Sequence, residues 1–269
     1  MSIVKSKDGT SIHVEQHPCE GEAKGEVLLV HGANEHVGRY GHLVAGLNEA
    51  GFSVTAVDLR GHGKSYGKRG HVLAWSDYCD DVRTAAGVAG KPVFVIAHSM
   101  GGLVALDTLR APGFDVRGVV LSNPLLGLAF TPPKAKTFGA KLLSRVVPAL
   151  SLGNEVVVEH TSRDPAAQEA YRRDPLISKT LTPRWFVEMQ EARARVAGAV
   201  SSIGFPLLML LGTGDKITCP NTAKEVFGSY GGDDKKIVSY EGLYHEILNE
   251  PERDQVVADI VEWLKARTK

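Results

Sequence analysis

The pattern of apolar and polar positions predicts two kinds of β-strand. Two short segments at 2–5 and 11–16 alternate between apolar and polar residues and flank Asp8-Gly9, a dipeptide typical of tight turns. They predict an antiparallel hairpin. Later runs are apolar with little alternation, as in strands that helices cover on both faces of a sheet. These runs lie at 26–30, 52–57, 93–96, 116–121, 206–211 and 236–240.

Between these runs, apolar residues recur at helical spacing. Such stretches follow the runs at 26–30 and 93–96, occupy about 75–89, and close the chain, where one helix face carries an apolar stripe. The stripe consists of Val256, Val257, Ile260, Val261 and Leu264. Strands that alternate with helices predict an α/β fold, with a mostly parallel central sheet and helices on both faces.

The alternation of strands and helices breaks between 125 and 203. This stretch is rich in proline, and short helical patterns lie between the prolines. We interpret residues 125–203 as a helical cap inserted into an α/β core, whose two parts are residues 1–124 and 204–269.

One helical pattern in the predicted cap has a basic face and an apolar face. The basic face holds Lys134, Lys141 and Arg145. The apolar face holds Ala135, Leu142, Leu143 and Val146. Two interpretations remain open: the apolar face packs on the core, or the helix rests on a membrane surface and admits a lipid substrate.

Composition excludes several classes of protein. The chain has 269 residues, of which 43% are hydrophobic, enough for a buried core without disulfides. Lysine and arginine together number 31, as do aspartate and glutamate, so the bulk charge argues against a nucleic-acid binder. Cys19, Cys79 and Cys219 lack metal-ligand spacing, which favours reduced thiols in a cytoplasm-like compartment. The chain has no recognisable apolar leader or membrane span, so we expect a soluble cytoplasmic protein, with any membrane contact made through the cap.

The residues around Ser99 predict a nucleophile elbow. Ala97-His98-Ser99-Met100-Gly101 lies where the apolar run at 93–96 passes into a helical stretch. Strand and helix crowd at such a turn, so the neighbours of the serine are small and its hydroxyl projects from the edge of the sheet. Ala97 replaces the usual first glycine and is the smallest alternative to it.

A serine hydroxyl needs a base and an orienting acid to act as a nucleophile. In this architecture the order along the chain is serine, acid, histidine. Asp215 and His245 each follow a predicted strand by a few residues, at the edge where open α/β sheets place their sites. We therefore predict a triad of Ser99, Asp215 and His245. The oxyanion donors are predicted to be the backbone N–H groups of Met100 and Ala33.

Other residues compete for the roles of base and acid. The competing histidines are His31, His36, His62 and His98. Glu246 is a second candidate acid. His245 alone combines the expected chain order with a strand-end position, and adjacent residues such as His245 and Glu246 usually face different ways. Asp215 and His245 are therefore preferred.

Four motifs, at 31–40, 58–65, 97–102 and 240–246, carry a family resemblance. With them, almost the whole chain resembles the α/β-hydrolase superfamily and, within it, the monoacylglycerol lipase and lysophospholipase group. The resemblance implies the same triad and the same oxyanion donors. Asn34 departs from the glycine that this group commonly has at that position.

The resemblance implies a serine carboxylester hydrolase that uses no cofactor and no metal. Its expected substrates are monoacylglycerols or related single-chain lipid esters, cleaved through an acyl-enzyme. A lysophospholipase, a broad short-chain carboxylesterase and an amidase use the same triad and remain alternatives. A ligand-binding or interaction member of the fold without activity is a further alternative, although such members generally lose a triad residue. Acyl-chain length, head group and oligomeric state stay open.

Overall fold

A computed structural model describes residues 1–90, 93–154 and 156–268. Its strands are β1 (Ser2–Lys5), β2 (Ser11–His17), β3 (Gly25–Val30), β4 (Phe52–Asp58), β5 (Phe94–His98), β6 (Gly118–Ser122), β7 (Leu152–Gly153), β8 (Thr180–Leu181), β9 (Leu207–Gly212) and β10 (Lys235–Tyr240). Its α-helices are α1 (Gly41–Glu49), α2 (Ser76–Ala89), α3 (Met100–Leu109), α4 (Lys134–Val146), α5 (Pro165–Arg173), α6 (Pro183–Ala199), α7 (Pro220–Ser229) and α8 (Arg253–Lys265). Short 3-10 turns lie at Val37–Tyr40, Val158–His160, Val200–Ser202 and Ile247–Asn249.

One eight-stranded sheet organises the fold, in the order β1-β2-β4-β3-β5-β6-β9-β10. The first two strands form the predicted antiparallel hairpin, with Ser2 opposite Val14 and Lys5 opposite Ser11. β2 is antiparallel to β4, and every pairing from β4 to β10 is parallel. The prediction of a mostly parallel central sheet is therefore confirmed.

Helices cover both faces of the sheet. Alternate residues of β3 point to opposite sides, so that Val27 and Leu29 belong to one apolar core and Leu28 and Val30 to the other. Helices α1 and α8 pack in the first core, and helices α2, α3 and α6 pack in the second. Each fully buried leucine or isoleucine contributes roughly 1.5–3 kcal/mol. Burial on both faces explains why these strands are apolar without alternation.

The parallel strands bring their carboxyl ends to one edge of the sheet. Loops that follow β3, β5, β9 and β10 therefore meet there, although they are widely separated in sequence. Each predicted site residue lies in one of these four loops or at the first residue of the helix after β5.

The segment between β6 and β9 contains α4, α5, α6 and the short antiparallel pair of β7 and β8. Hydrogen bonds join this segment to the core: Ser178 N–H donates to Asn34 O at 2.8 Å, and Glu246 N–H donates to Thr161 O at 2.7 Å. This helical content agrees with the expectation for an insert. The division into 1–124, 125–203 and 204–269 stays a prediction.

The apolar face of α4 does not pack on the core. Leu142 and Val146 are 56% and 70% exposed, as is Phe138 at 73%. Helix α4 contacts α6, and Ser144 is its buried residue. The interpretation in which this face packs on the core is therefore wrong for Ala135, Leu142 and Val146, which are exposed, whereas Leu143 is half-buried. No helix in the described ranges is long and apolar enough to cross a membrane.

Candidate active site

The turn between β5 and α3 holds Ser99 in a strained backbone conformation. Its φ of 51° and ψ of −116° lie in a region that residues with side chains rarely adopt. Gly101 makes the turn possible, because a Cβ there would lie 2.5 Å from His31 O and 2.6 Å from Val30 O. Ala97, where the motif usually has glycine, is fully buried in β5 without such a conflict. The structure thus has the strand–turn–helix geometry of a nucleophile elbow.

Three side chains from three loops meet beside this turn. Ser99 Oγ lies 2.9 Å from His245 Nε2, and His245 Nδ1 lies 2.7 Å from Asp215 Oδ2. All three residues are buried. The structure therefore brings together the three residues predicted as a triad. Because a carboxylate only accepts hydrogen bonds, His245 Nδ1 carries the proton and the neutral ring presents Nε2 as acceptor to the serine hydroxyl.

Asp215 is held as a carboxylate by donors from its own loop. Its Oδ1 accepts from Ile217 N–H at 2.7 Å and from Thr218 N–H at 2.9 Å, and its Oδ2 accepts from Thr218 Oγ1 at 2.7 Å. Burial raises the pKa of Asp215, but His245 and these hydrogen bonds outweigh burial, so the pKa lies below its ordinary value. The carboxylate is thus fixed in both charge and orientation.

The charges around His245 favour its protonated form. Burial lowers the pKa of His245, but the nearby carboxylates of Asp215, Glu246 and Glu35 outweigh burial and raise the pKa above its ordinary value. A base of this kind accepts a proton readily when the adjacent hydroxyl attacks, because the imidazolium that forms is stabilised.

The two predicted oxyanion donors lie in the loop after β3 and at the start of α3. In the described part of the chain, the N–H groups of Ala33 and Met100 have no hydrogen-bond partner. Gly32 lets the loop approach the elbow, since a Cβ there would lie 3.2 Å from Ser99 Cβ. Asn34 has a φ of 64°, a left-handed conformation that asparagine tolerates better than most residues. This conformation explains why glycine is common there and why asparagine can replace it.

A buried cluster of ion pairs links the loop after β3, which contains Ala33, to the loop of His245. This cluster was not identified from the sequence. Arg39 Nη1 donates to Glu35 Oε2 at 2.7 Å, and its Nη1 and Nη2 donate to the two oxygens of Glu246 at 2.8 and 2.7 Å. Glu35 Oε1 also accepts from Gly32 N–H at 2.6 Å. Burial raises the pKa of Glu35, yet Arg39 and neighbouring groups hold it at about 2.

Asn123 is a second positioning residue that the sequence analysis missed. It follows β6, and its Nδ2 donates to His245 O at 2.6 Å and to Tyr244 O at 3.1 Å. Its Oδ1 accepts from Gly212 N–H at 2.9 Å. The side chain therefore joins the ends of β6 and β9 to the backbone of His245. A polar residue directly after an apolar run was the signal available in the sequence.

The competing histidines have other partners. His31 Nε2 accepts from Leu59 N–H at 3.0 Å and His31 Nδ1 donates to Gly32 O at 2.6 Å, so this ring supports the oxyanion loop. His36 pairs with Asp174 at 2.8 Å. Burial lowers the pKa of His62 to about 3 and that of His98 to about 4, and both rings bond backbone carbonyls. Glu246, the competing acid, is engaged by Arg39.

The site brings together a serine hydroxyl, an imidazole, a carboxylate and, among the described residues, two backbone N–H groups without a partner. Within the described ranges, no group of three or more His, Cys, Asp or Glu side chains is arranged to hold a metal ion. The parallel sheet, the elbow and the helical insert after β6 together define an α/β hydrolase.

Comparison with known proteins places the chain within this class. Residues 21–252 match the sequence model of the family described as serine aminopeptidase, S33. The chain is 32% identical over 253 residues to a monoacylglycerol lipase of Mycolicibacterium smegmatis, covering 90% of this chain and 89% of that protein. It is 31% identical over 235 residues to phospholipase YtpA of Bacillus subtilis, covering 86% and 91%.

A solved structure shows the same likeness in three dimensions. The crystal structure of a monoacylglycerol lipase from Paleococcus ferrophilus superimposes with a TM-score of 0.89 at 34% identity, covering 95% of this chain and 99% of that one. The chain belongs to the S33 family of α/β hydrolases. The predictions of an α/β-hydrolase fold and of a carboxylic ester hydrolase are confirmed by this family and these relatives.

Proposed function

We propose that this protein hydrolyses monoacylglycerols or related single-chain lipid esters through an acyl-enzyme on Ser99. The observation that carries the proposal is the unbroken line from Ser99 Oγ to His245 Nε2 at 2.9 Å and from His245 Nδ1 to Asp215 at 2.7 Å. Its relatives named as a monoacylglycerol lipase and a phospholipase support lipid esters as the substrate class.

In the first half of the proposed reaction, Ser99 Oγ attacks the ester carbonyl carbon while His245 Nε2 takes the hydroxyl proton. The carbonyl oxygen becomes an oxyanion and accepts hydrogen bonds from the N–H groups of Ala33 and Met100. When the tetrahedral intermediate collapses, the carbon–oxygen bond to the alcohol breaks, and the imidazolium gives its proton to the leaving alcohol oxygen.

In the second half, water replaces the alcohol. His245 takes a proton from the water, whose oxygen attacks the acyl carbon, and then returns the proton to Ser99 Oγ as the fatty acid leaves. Asp215 keeps the histidine in the reactive tautomer throughout and stabilises its charged form. Loss of one oxyanion donor typically costs about 10²–10³-fold in rate, so both backbone amides are large contributors.

We also propose that residues 125–203 form a cap whose helix α4 touches a lipid surface. Phe138, Leu142 and Val146 are more than half exposed on this helix. The same helix has four basic and no acidic side chains, in a chain whose overall charge is zero. An exposed apolar stripe flanked by basic residues fits the interface of an anionic bilayer, where the substrates of this proposal reside.

The first experiment is to treat the folded protein with a fluorophosphonate and locate the adduct by mass spectrometry. We expect a single adduct on Ser99, abolished in Ser99→Ala and in His245→Ala and retained in Ser201→Ala, a matched change at an exposed serine. No adduct in folded protein, or an adduct on another residue, would contradict the assignment and favour a ligand-binding member of the fold.

A substrate panel tests the second part of the proposal. We expect the highest kcat/KM with a medium- or long-chain monoacylglycerol, compared with lysophosphatidylcholine, p-nitrophenyl butyrate and an amino-acid p-nitroanilide. A preference for lysophosphatidylcholine would favour a lysophospholipase, for which the phospholipase relative is the supporting observation. A preference for the anilide would favour the peptidase activity that the family description names.

A further inference from the structure

A groove between α6 and α7 lies outside the candidate active site. It has a volume of about 440 Å³ and opens to solvent. Its walls are mostly apolar, formed by Leu126, Ala194, Ala197 and Val226. None of the triad or oxyanion residues lines it. The volume falls toward the lower end of the range typical of small-molecule sites, roughly 300–1,000 Å³.

The groove contains a half-buried arginine with no acidic partner. Arg193 Nε donates to Leu126 O at 3.0 Å, and its Nη1 donates to Gln190 Oε1 at 2.7 Å. Among the described residues, no carboxylate lies within ion-pair distance of this guanidinium, and nothing accepts from its Nη2. Burial lowers the pKa of Arg193, but an arginine keeps its charge at neutral pH.

Several other partly buried arginines in this protein are paired with carboxylates, whereas Arg69 and Arg117 donate to the backbone carbonyls of Gly63 and Arg267. Arg39 binds Glu35 and Glu246, and Arg60 binds Asp8 and Asp81. Arg195, two residues from Arg193 on the same helix, binds Asp107 at 3.0 Å. A cation that is partly removed from water costs free energy unless an anion compensates it. Unlike Arg69 and Arg117, Arg193 lines the groove, so an anion that enters the groove can reach its guanidinium.

We propose that this groove binds a medium-chain fatty acid, with the carboxylate on the Arg193 guanidinium and the alkyl chain along the apolar walls. The planar guanidinium offers its free N–H groups to a carboxylate, and such charge-assisted hydrogen bonds are among the stronger ones in proteins. The apolar walls favour an amphiphile over a small inorganic anion, because only the amphiphile has an alkyl chain that contacts them. A fatty acid is also the acid product of the proposed reaction, but the assignment rests on the groove alone.

The test is calorimetric titration of the full chain with sodium decanoate below its micelle concentration. The protein is titrated both untreated and after fluorophosphonate labelling, so that binding at the candidate active site is separated from binding in the groove. We expect decanoate to bind the labelled protein with a stoichiometry of about one, as one carboxylate per arginine requires. We expect decan-1-ol, inorganic phosphate and acetate to bind at least about tenfold more weakly, because each lacks the charge or the chain.

Variants assign the binding to Arg193. Arg193→Gln should weaken decanoate binding by at least about tenfold, because the charge-assisted hydrogen bonds are lost. Arg195→Gln, a matched change at the paired arginine, should leave it unchanged. Ala197→Glu places a carboxylate one helical turn from Arg193, so it should block the groove without removing the cation. This variant keeps the test valid if Arg193→Gln fails to fold, since Ala197 is exposed.

Several outcomes would overturn the proposal. These are no binding of decanoate to the labelled protein, binding by Arg193→Gln or Ala197→Glu as tight as that of the unaltered protein, and an affinity for decan-1-ol or phosphate equal to that for decanoate. Failure of the fluorophosphonate to label Ser99 would count against the proposed function instead. In that case the dependence of decanoate binding on Arg193 still tests the groove.

Discussion

The loops around Ser99 and the helix α4 differ in whether their side chains have partners within the chain. Around Ser99, charged groups are buried and paired: Arg39 alone joins two carboxylates that are 3% and 6% exposed. On α4, large apolar side chains such as Phe138 and Val146 project into solvent without a partner. The first region has its partners within the chain, and the second presents a surface that only another molecule can cover.

This contrast agrees with the two roles proposed for these regions, proton transfer at Ser99 and lipid contact on α4. A reaction that transfers a proton between Ser99 and His245 needs groups held within a few tenths of an ångström, and buried hydrogen-bonded networks provide such geometry. Contact with a lipid surface needs area and charge but no fixed register. Substitutions in the loops should therefore change chemistry or stability, whereas substitutions on α4 should change delivery of substrate.

The largest expected effect is that of Asp215→Asn. The amide can hold His245 in the wrong tautomer and cannot stabilise the imidazolium, so kcat should fall about 10⁴-fold. Hydrolysis of p-nitrophenyl butyrate measures it, with Asp233→Asn, a change at an exposed aspartate, as the control. A variant that keeps a tenth of the activity would remove Asp215 from the role of orienting acid.

Next in size is the loss of stability in Arg39→Gln. The change leaves Glu35 and Glu246 buried without their cation, and breaking a buried pair in this way costs about 3–5 kcal/mol. Urea unfolding followed by circular dichroism measures the free energy of unfolding. Arg173→Gln removes an arginine that is 80% exposed and should cost less than about 1 kcal/mol. Similar losses in the two variants would mean that burial of the cluster is unimportant.

A change on α4 should leave chemistry and folding intact. For Leu142→Gln with Val146→Gln, we expect the free energy of unfolding to stay within about 0.5 kcal/mol and hydrolysis of a soluble ester to be unchanged. Binding to vesicles of phosphatidylcholine and phosphatidylglycerol should fall about tenfold, because apolar contact area is lost. Co-sedimentation measures this, with Ile3→Gln, at a residue 58% exposed on β1, as the control. Unaltered vesicle binding would argue that α4 does not contact the lipid surface.

The smallest expected effect is a displacement of the pH profile in Glu246→Gln. His245 must be neutral to act as base, and the carboxylate of Glu246 helps to raise its pKa. Removing that negative charge lowers the pKa, so the acid limb of kcat/KM should move to lower pH. Glu262→Gln, at an exposed glutamate, should leave the profile in place. A limb that does not move, or that moves to higher pH, would show that Glu246 acts through structure alone.

The sheet and the line of three site residues were predictable because their signals are local. An apolar run of about four to six residues with little alternation identifies a strand buried on both faces, and β3, β5, β6 and β9 all contain such a run. Ser99 and Asp215 then follow from their positions just after such strands, and His245 from its position a few residues after β10, a less buried strand. The carboxyl ends of parallel strands lie at one edge of the sheet, so residues that directly follow different strands come close together in space.

The ion-pair cluster and the orientation of α4 were not predictable from the same signals. Arg39 and Glu246 are separated by 207 residues, and nothing in either local sequence identifies the other as its partner. An amphipathic pattern shows which residues of α4 share a face, but the choice between core and solvent depends on what lies opposite. In this fold α6 packs against α4 but leaves Phe138, Leu142 and Val146 more than half exposed.

The hydrogen bond between Ser99 and His245 joins residues 146 positions apart, and Ala33 approaches the same point from near the start of the chain. Contacts of such sequence separation form late, because the entropy of closing long loops precedes any gain from them. A chain growing from its N-terminus on the ribosome therefore adds 146 residues after Ser99 before it contains the proposed base. Under the proposed mechanism, Ser99 would become reactive only when the loop after β10 docks beside it, so the nascent or refolding chain would be inactive until then.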